Sequence, residues 1–268
     1  MLHCAKTHSH NIQNGTYSAH IYSQMNKIIS TLFILLCPLM AKAQVGEHRN
    51  QYAIGVHGGC NLSRVELLPK VNQKLKQGID AGLIVRYTCE KYFKTICAIQ
   101  AEINFSQMGW EEDILDIKNQ PVPSTKNPEE NEYYRRTLNY IQVPFLAHLA
   151  WGKESNGLNF FFNAGPQFGF LQSEKTETNF TPETANFQDR TNKVVAQDTM
   201  KVENKFDYGI TAGIGAELHV KNIGRFQLEA RYYYGLGNLY GDSKRDYFAS
   251  SRSANITIRA AYLFDLSR

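Results

Sequence analysis

The chain contains no C-x-x-C spacing, no G-x-S-x-G elbow, no H-E-x-x-H and only one long apolar run. Each absence removes a class. Five cysteines without metal-ligand spacing, of which only Cys60, Cys89 and Cys97 lie beyond the N-terminal segment, argue against a zinc site or a disulfide scaffold. Without the elbow or the zincin motif, the usual sequence signs of a hydrolase are missing. The apolar run, Ile28 to Met40, is shorter than the ~20 residues a spanning helix needs. With a negative mean hydropathy, the chain is no helical membrane protein.

What surrounds that run has the grammar of an export signal. Met25, Asn26 and Lys27 precede it, and Ala41, Lys42, Ala43 and Gln44 follow, giving a cationic start, an apolar middle and an A-x-A cleavage site. Residues 1–43 are therefore expected to be an N-terminal extension and cleaved signal peptide, and 44–268 the mature domain. Residues 1–24 hold His3, His8, His10 and His20, a composition that can bind metal. Either translation starts at Met25 or this segment is a disordered extension of the leader. Cys37 follows the bulky Ile34, Leu35 and Leu36, where a lipoprotein signal needs small residues. Losing Lys6, Lys27 and Lys42 with the leader lowers the formal net charge of +4 to +1. The mature chain thus lacks the basic stripe of a nucleic-acid partner.

Beyond Gln44 the pattern has period two, that of strands with two unlike faces. Between Asp207 and Val220, Tyr208, Ile210, Ala212, Ile214, Ala216, Leu218 and Val220 alternate with Gly209, Thr211, Gly213, Glu217 and His219. The segments around Phe226–Tyr234 and Asn255–Phe264 repeat this. Noisier versions centre on Ile79–Tyr87, Ile99–Phe105, Ile141–Trp151 and Leu158–Phe170. Tyr52, Ile54 and Val56 form a weaker one, interrupted by glycines. That makes eight candidate strands.

Connection lengths alternate as well. Residues 90–95, 152–157 and 221–224 read as short turns; 63–76, 111–136, 174–205 and 237–250 read as long polar loops. Short turns at one rim and long loops at the other mark outer-membrane barrels. Several alternating runs exceed the ~5–6 residues of soluble strands. Aromatics gather at strand ends like interfacial girdles: Tyr92, Phe93, Trp151, Tyr262 and Phe264 at one rim, and Trp110, Phe168, Phe170, Tyr208, Tyr232 and Tyr234 at the other. The charged Asp80, Arg86, Glu102, Glu217, Glu229, Arg231 and Arg259 all fall on the polar face. Glu217, Glu229, Arg231 and Arg259 are expected to form the core of a lumenal ion-pair network. Gly165, Gly169, Gly209, Gly213 and Gly215 share that face and leave room for long interior side chains.

Three stretches, Leu138-Asn-Tyr-Ile-Gln-Val-Pro-Phe145, Phe162-Asn-Ala-Gly-Pro-Gln-Phe-Gly169 and Ala101-Glu-Ile-Asn-Phe-Ser-Gln-Met-Gly109, resemble PorT-like, "porin family" outer-membrane β-barrel proteins. The likeness runs over most of residues 50–266. It implies an outer-membrane barrel, with one branch of such proteins tied to protein secretion. The chain departs from the usual aromatic finish of barrels: Phe264 is followed by Asp265, Leu266, Ser267 and Arg268.

Candidates for chemistry are sparse. His57, His148 and His219 lie on polar faces and read as interior hydrogen-bond partners rather than catalysts. Glu111, Glu112, Asp113 and Asp116 offer calcium-type carboxylates but not the EF-hand order. Cys89 and Cys97 flank a short turn on the outward face, within reach of a disulfide if the register holds them opposite; small apolar roles are the favoured reading.

The expected fold is an all-β, up-and-down antiparallel transmembrane barrel of about eight strands in the bacterial outer membrane. It is expected to be monomeric and non-enzymatic, with no cofactor, no metal and no catalytic residues. Its interior is expected to be filled by polar side chains, since eight strands leave no wide pore. Its partners are outer-membrane lipid and, through the long loops, envelope or secretion-complex proteins. A soluble periplasmic ligand-binding barrel and an outer-membrane hydrolase or acyltransferase stand as alternatives.

Overall fold

A computed structural model describes residues 47–153, 156–241 and 247–266. The expected leader lies outside them. The regular structure of the described chain is almost wholly strand: β1 Glu47–Leu68, β2 Gln73–Lys74, β3 Lys76–Tyr92, β4 Thr95–Glu112, β5 Tyr134–Gly152, β6 Gly157–Thr178, β7 Phe206–Val220, β8 Gly224–Gly235 and β9 Ser250–Asp265. A single 3-10 turn, Ala196–Asp198, sits in the β6–β7 connection.

Apart from the two-residue β2, which pairs with the end of β4, the strands form one ring in sequence order. Neighbours run antiparallel, and β1 closes on β9 from Ala53↔Asp265 to Leu68↔Ser250. Closure removes both sheet edges, so every strand finds backbone partners on two sides, as a spanning structure requires.

Side-chain exposure is inverted relative to a soluble barrel. Ile214 and Leu228 are 65% and 62% exposed on the outside, whereas Glu217 and Glu229 are 1% and 2% exposed within. The outward row on β4 is Ile99, Ile103 and Phe105; on β9 it is Ile256, Ile258 and Phe264. A soluble barrel buries its apolar face and wets its polar one, so this arrangement rules out the soluble alternative.

Three expectations need correction. The first strand is not weak: β1 runs 22 residues, because Gly55 and Gly59 are inward positions where the strand packs closely against β9. The eight barrel strands are also longer than the apolar alternation, 12 to 22 residues. The long connections accordingly shrink to 69–72, 113–133, 179–205 and 236–249, and the ladders continue past the apolar belt. Trp110 is not an interfacial aromatic; it is fully buried. Phe168, Phe170, Tyr208 and Tyr232 do face outward near the long-loop rim, and Phe93, Trp151 and Phe264 near the other.

Glycine placement shows how the lumen is made to fit. A Cβ on Gly213 would collide with the Glu229 carboxylate, and one on Gly215 with the Phe161 ring. Both bulky groups come from neighbouring strands and occupy space the glycines leave.

Candidate functional site

The interior is layered along the barrel axis, because successive inward residues of each strand climb from the short-turn rim to the long-loop rim. Nearest the short turns, Arg86 donates to Glu217 at 2.7 Å, and Arg225 lies 3.5 Å from the same carboxylate. Arg225 also donates to Asp265 at 3.0 Å. Two guanidiniums and two carboxylates leave this layer neutral.

The middle layer is the tightest. Arg231 donates to both oxygens of Glu102 at 2.9 Å, and Arg259 does so at 2.6 and 2.8 Å. The same two arginines hold Glu229, Arg231 at 3.1 Å and Arg259 at 2.9 Å. Asn104 and Asn163 add amide donors to Glu102 and Glu229 at 3.0 and 2.9 Å. Again the sum is neutral. Buried charge is tolerable only when paired and hydrogen-bonded, and here both carboxylates are fully dressed. Gln100 couples the layers: its Oε1 accepts from Arg86 at 2.6 and 2.9 Å, and its Nε2 donates to Glu102 at 2.5 Å.

The expected quartet of Glu217, Glu229, Arg231 and Arg259 is therefore split. Glu217 belongs to the Arg86 layer, and Glu102 takes its place in the middle. All these residues were legible as inward; their pairing was not, since Glu102 and Arg231 lie 129 residues apart and on opposite walls.

The histidines sit in the wall of this network. His148 Nδ1 is 2.7 Å from Asn163 Oδ1; His57 Nε2 is 2.8 Å from Asn104 Oδ1, with its other nitrogen 3.3 Å from Asp80. His219 lies 3.4 Å from Asp265. Each lies against a neighbouring polar side chain. Above them come contacts between uncharged groups, Asn61 to Ser106 at 2.8 Å and Thr257 to Asn61 at 2.7 Å, and the Tyr233 hydroxyl donates to the Asp207 carboxyl at 2.9 Å. A gap between Asp80, Asn104, Gln142, Gln167, Tyr233 and Arg259 measures about 10 Å³, space for a single water.

At the long-loop end the lumen turns apolar, which sequence reading missed. Val65, Leu67, Met108, Trp110, Tyr134, Leu138, Tyr140, Phe180, Val202, Tyr240 and Phe248 form one buried cluster drawn from the strand ends and the long connections. At about 1.5–3 kcal/mol per large apolar side chain buried, this cluster folds the loops onto the barrel as a cap. Arg136 pins it. Its guanidinium donates to Glu174 at 2.7 Å, to the carbonyls of Gln197 (3.2 Å) and Met200 (2.5 Å), and to the Tyr240 hydroxyl at 3.4 Å, and it lies over the Trp110 ring. Arg190 donates to Glu132 at 2.7 Å.

The four acids weighed for calcium diverge. Glu111 pairs with Arg135 at 2.8 Å and Asp113 with Lys74 at 3.0 Å, while Asp116 accepts from Lys118 and Gln120 in its own turn. Glu112 points into the cap and accepts from Gln197 at 2.7 Å. Among the described residues no three His, Cys, Asp or Glu side chains converge as a metal site. Glu112 lies well past Phe105, the last lipid-facing apolar residue of β4. Burial, reinforced by Asp198, pushes its carboxyl up to about 8. Asp198 is likewise raised to about 6, first by burial.

Cys60, Cys89 and Cys97 are free thiols. A bulge between Thr88 and Glu90 sets Cys97 opposite Glu90, so Cys89 is not its direct partner.

A closed ring of eight long strands, apolar outside and charge-paired within, defines a transmembrane β-barrel. The chain belongs to the family described as outer membrane protein beta-barrel domain, which matches residues 42–241, and it is a bacterial outer-membrane protein set in the lipid bilayer. No curated protein matches it. Among solved structures it is similar to the attachment invasion locus protein Ail of Yersinia pestis, at 12% identity over 79% of this chain and 98% of that one, TM-score 0.34. It is similar also to OprG of Pseudomonas aeruginosa, at 10% identity over 82% and 98%, TM-score 0.38. A third is the N-terminal β-barrel domain of OprF from the same organism, at 11% identity over 81% and 100%, TM-score 0.33.

Proposed function

We propose that the protein is a sealed, non-enzymatic barrel of the PorT-like kind, acting as a rigid anchor for a folded outward-facing cap that binds a partner or supports an envelope complex. One observation carries this reading. The lumen is blocked at mid-height by the Glu102–Arg231–Arg259–Glu229 knot and again above by the apolar cap. Among the described residues, the gap beside the knot has room for about one water. The histidines support the non-enzymatic reading, since His57 and His148 are held against asparagine amides inside a filled wall. The PorT-like likeness is supported by what its motifs do here: Glu102, Asn104, Gln142, Asn163 and Gln167 from those stretches all face the lumen.

Single-channel recording of purified protein in a planar bilayer tests the reading. A sealed barrel gives only brief, small events, if any. Stable large conductance overturns it.

A further inference from the structure

The short-turn rim carries charge that the fold does not use. Lys94 on the β3–β4 turn, Lys153 on the β5–β6 turn and Lys221 on the β7–β8 turn are exposed. Among the described residues no acid engages any of the three. The acids near this rim are occupied: Glu90 lies 3.6 Å from His48, and Asp265 is shared by Arg225 and His219. Glu154 follows Lys153 in the sequence. In the cap, Lys74, Arg135, Arg136, Lys175 and Arg190 face carboxylates, while exposed lysines such as Lys118 and Lys126 sit in the long β4–β5 connection, away from the lipid-facing belt.

Each lysine is coupled to an apolar side chain at the end of the lipid-facing belt. Phe93, 92% exposed, precedes Lys94; Trp151 stands two residues before Lys153; Ile223 stands two residues after Lys221. The three turns join alternate strand pairs, so these units are spread around the rim rather than gathered in one patch. An apolar anchor beside a long flexible cation suits the zone where hydrocarbon gives way to headgroups: the ring marks the boundary, the lysine stem lies along it, and the ammonium reaches outward.

We propose that the short-turn rim is a binding surface for anionic phospholipid headgroups, each of the three turns offering its lysine to a lipid phosphate. The surface is continuous with the lipid-facing belt, and its unspent charge is complementary to a headgroup of net negative charge, whose phosphate no choline or ethanolamine cation neutralises. With the long loops outside, this is the inner leaflet of the outer membrane; the leaflet, but not the binding, rests on that orientation. The proposal stands whether or not the lumen conducts.

The sequence supplies its own probe. Trp151 lies at this rim, and the other tryptophan, Trp110, is buried in the cap. In a W110F background, reconstituted protein is titrated with brominated phosphatidylglycerol or brominated phosphatidylcholine, and Trp151 quenching is read at low salt. Phosphatidylglycerol should bind about fivefold more tightly than phosphatidylcholine, the equivalent of ~1 kcal/mol for one lysine near an anionic surface. The preference should fall towards unity in K153Q and in high salt, and persist in K153R and in the cap variant K118Q. Equal quenching by both lipids in the W110F background, or an undiminished preference in K153Q, overturns the proposal.

Discussion

Arg231 on β8 reaches across the lumen to Glu102 on β4, four strands away around the ring in either direction, and grips both its oxygens at 2.9 Å. The contact ties opposite walls of the barrel together. It also explains why two arginines and two glutamates can share the middle of a membrane-spanning structure: each carboxylate is neutralised by donors from both Arg231 and Arg259. Removing Arg231 leaves Glu102 and Glu229 to share one guanidinium. R231A is expected to lose about 3–5 kcal/mol, the usual cost of breaking a buried pair. Urea unfolding in lipid vesicles measures it. Replacing Glu102 by Gln in the same chain should restore part of the loss, because the uncompensated charge goes with it.

A second keystone sits in the cap. Arg136 touches the strand wall at Glu174, the β6–β7 connection at Gln197 and Met200, and the β8–β9 connection at Tyr240. R136A should free residues 179–205 while leaving the barrel closed. Limited proteolysis is expected to cut within that segment in the variant and not in the parent, with the heat-modifiable gel shift of the folded barrel unchanged in both. Equal resistance would mean the apolar cluster holds the cap without it.

How much of this was legible follows from where regularity is enforced. Facing lipid on one side and lumen on the other imposes strict alternation, so Ile210 to Val220 or Phe226 to Tyr234 could be assigned to faces from sequence. Beyond the belt that constraint relaxes. Trp110 and Tyr134 keep the inward register of β4 and β5, but there the inward face turns from polar to apolar; Phe180 and Phe248 lie in connections without periodic spacing, which read as polar loops because charged neighbours surround them. Pairing inside the lumen was hidden for another reason. Which arginine meets which glutamate depends on register, and register is shifted by bulges such as those at Thr88/Glu90 and Asn139/Tyr140, which hydrophobic pattern does not announce.

The cap should respond to pH. Glu112 and Asp198 are both harder to ionise when buried than in a solvated loop, so the folded cap binds protons more tightly than the released one. For Glu112 the stabilisation is complete below its ordinary value of 4.5 and is lost as pH rises through about 8. For Asp198 it is lost between 3.8 and about 6. Stability from these groups falls with rising pH, because the docked state holds the extra protons. Hydrogen exchange of the amides at 194–200, corrected for intrinsic rates, should show weaker protection at pH 8.5 than at pH 5.5. E112Q should flatten most of that difference.

Orientation follows from connection length, since long loops face outward in bacterial barrels. An epitope placed at residues 125–129, an exposed stretch of the β4–β5 connection, should be labelled by antibody on intact cells. One placed beside Lys153 should be labelled only after the outer membrane is permeabilised. The reverse pattern would invert the barrel and move the lysine rim to the outer leaflet.

The last prediction concerns the cysteines. Both Cys89 and Cys97 lie towards the outward face beside the short turn, in a compartment that favours disulfides. A perfect ladder would have set them opposite each other, but the bulge at Thr88/Glu90 advances β3 by one residue and puts Glu90 across from Cys97. A bridge would have to undo the bulge and drag the Tyr92↔Thr95 end of the hairpin out of register. Partial burial of both side chains favours the thiols as well, because it limits access for exchange. Protein folded from oxidising medium and alkylated without reduction should therefore carry label at Cys60, Cys89 and Cys97 alike by mass spectrometry. Label at Cys60 alone would show the bridge, and with it that the bulge yields.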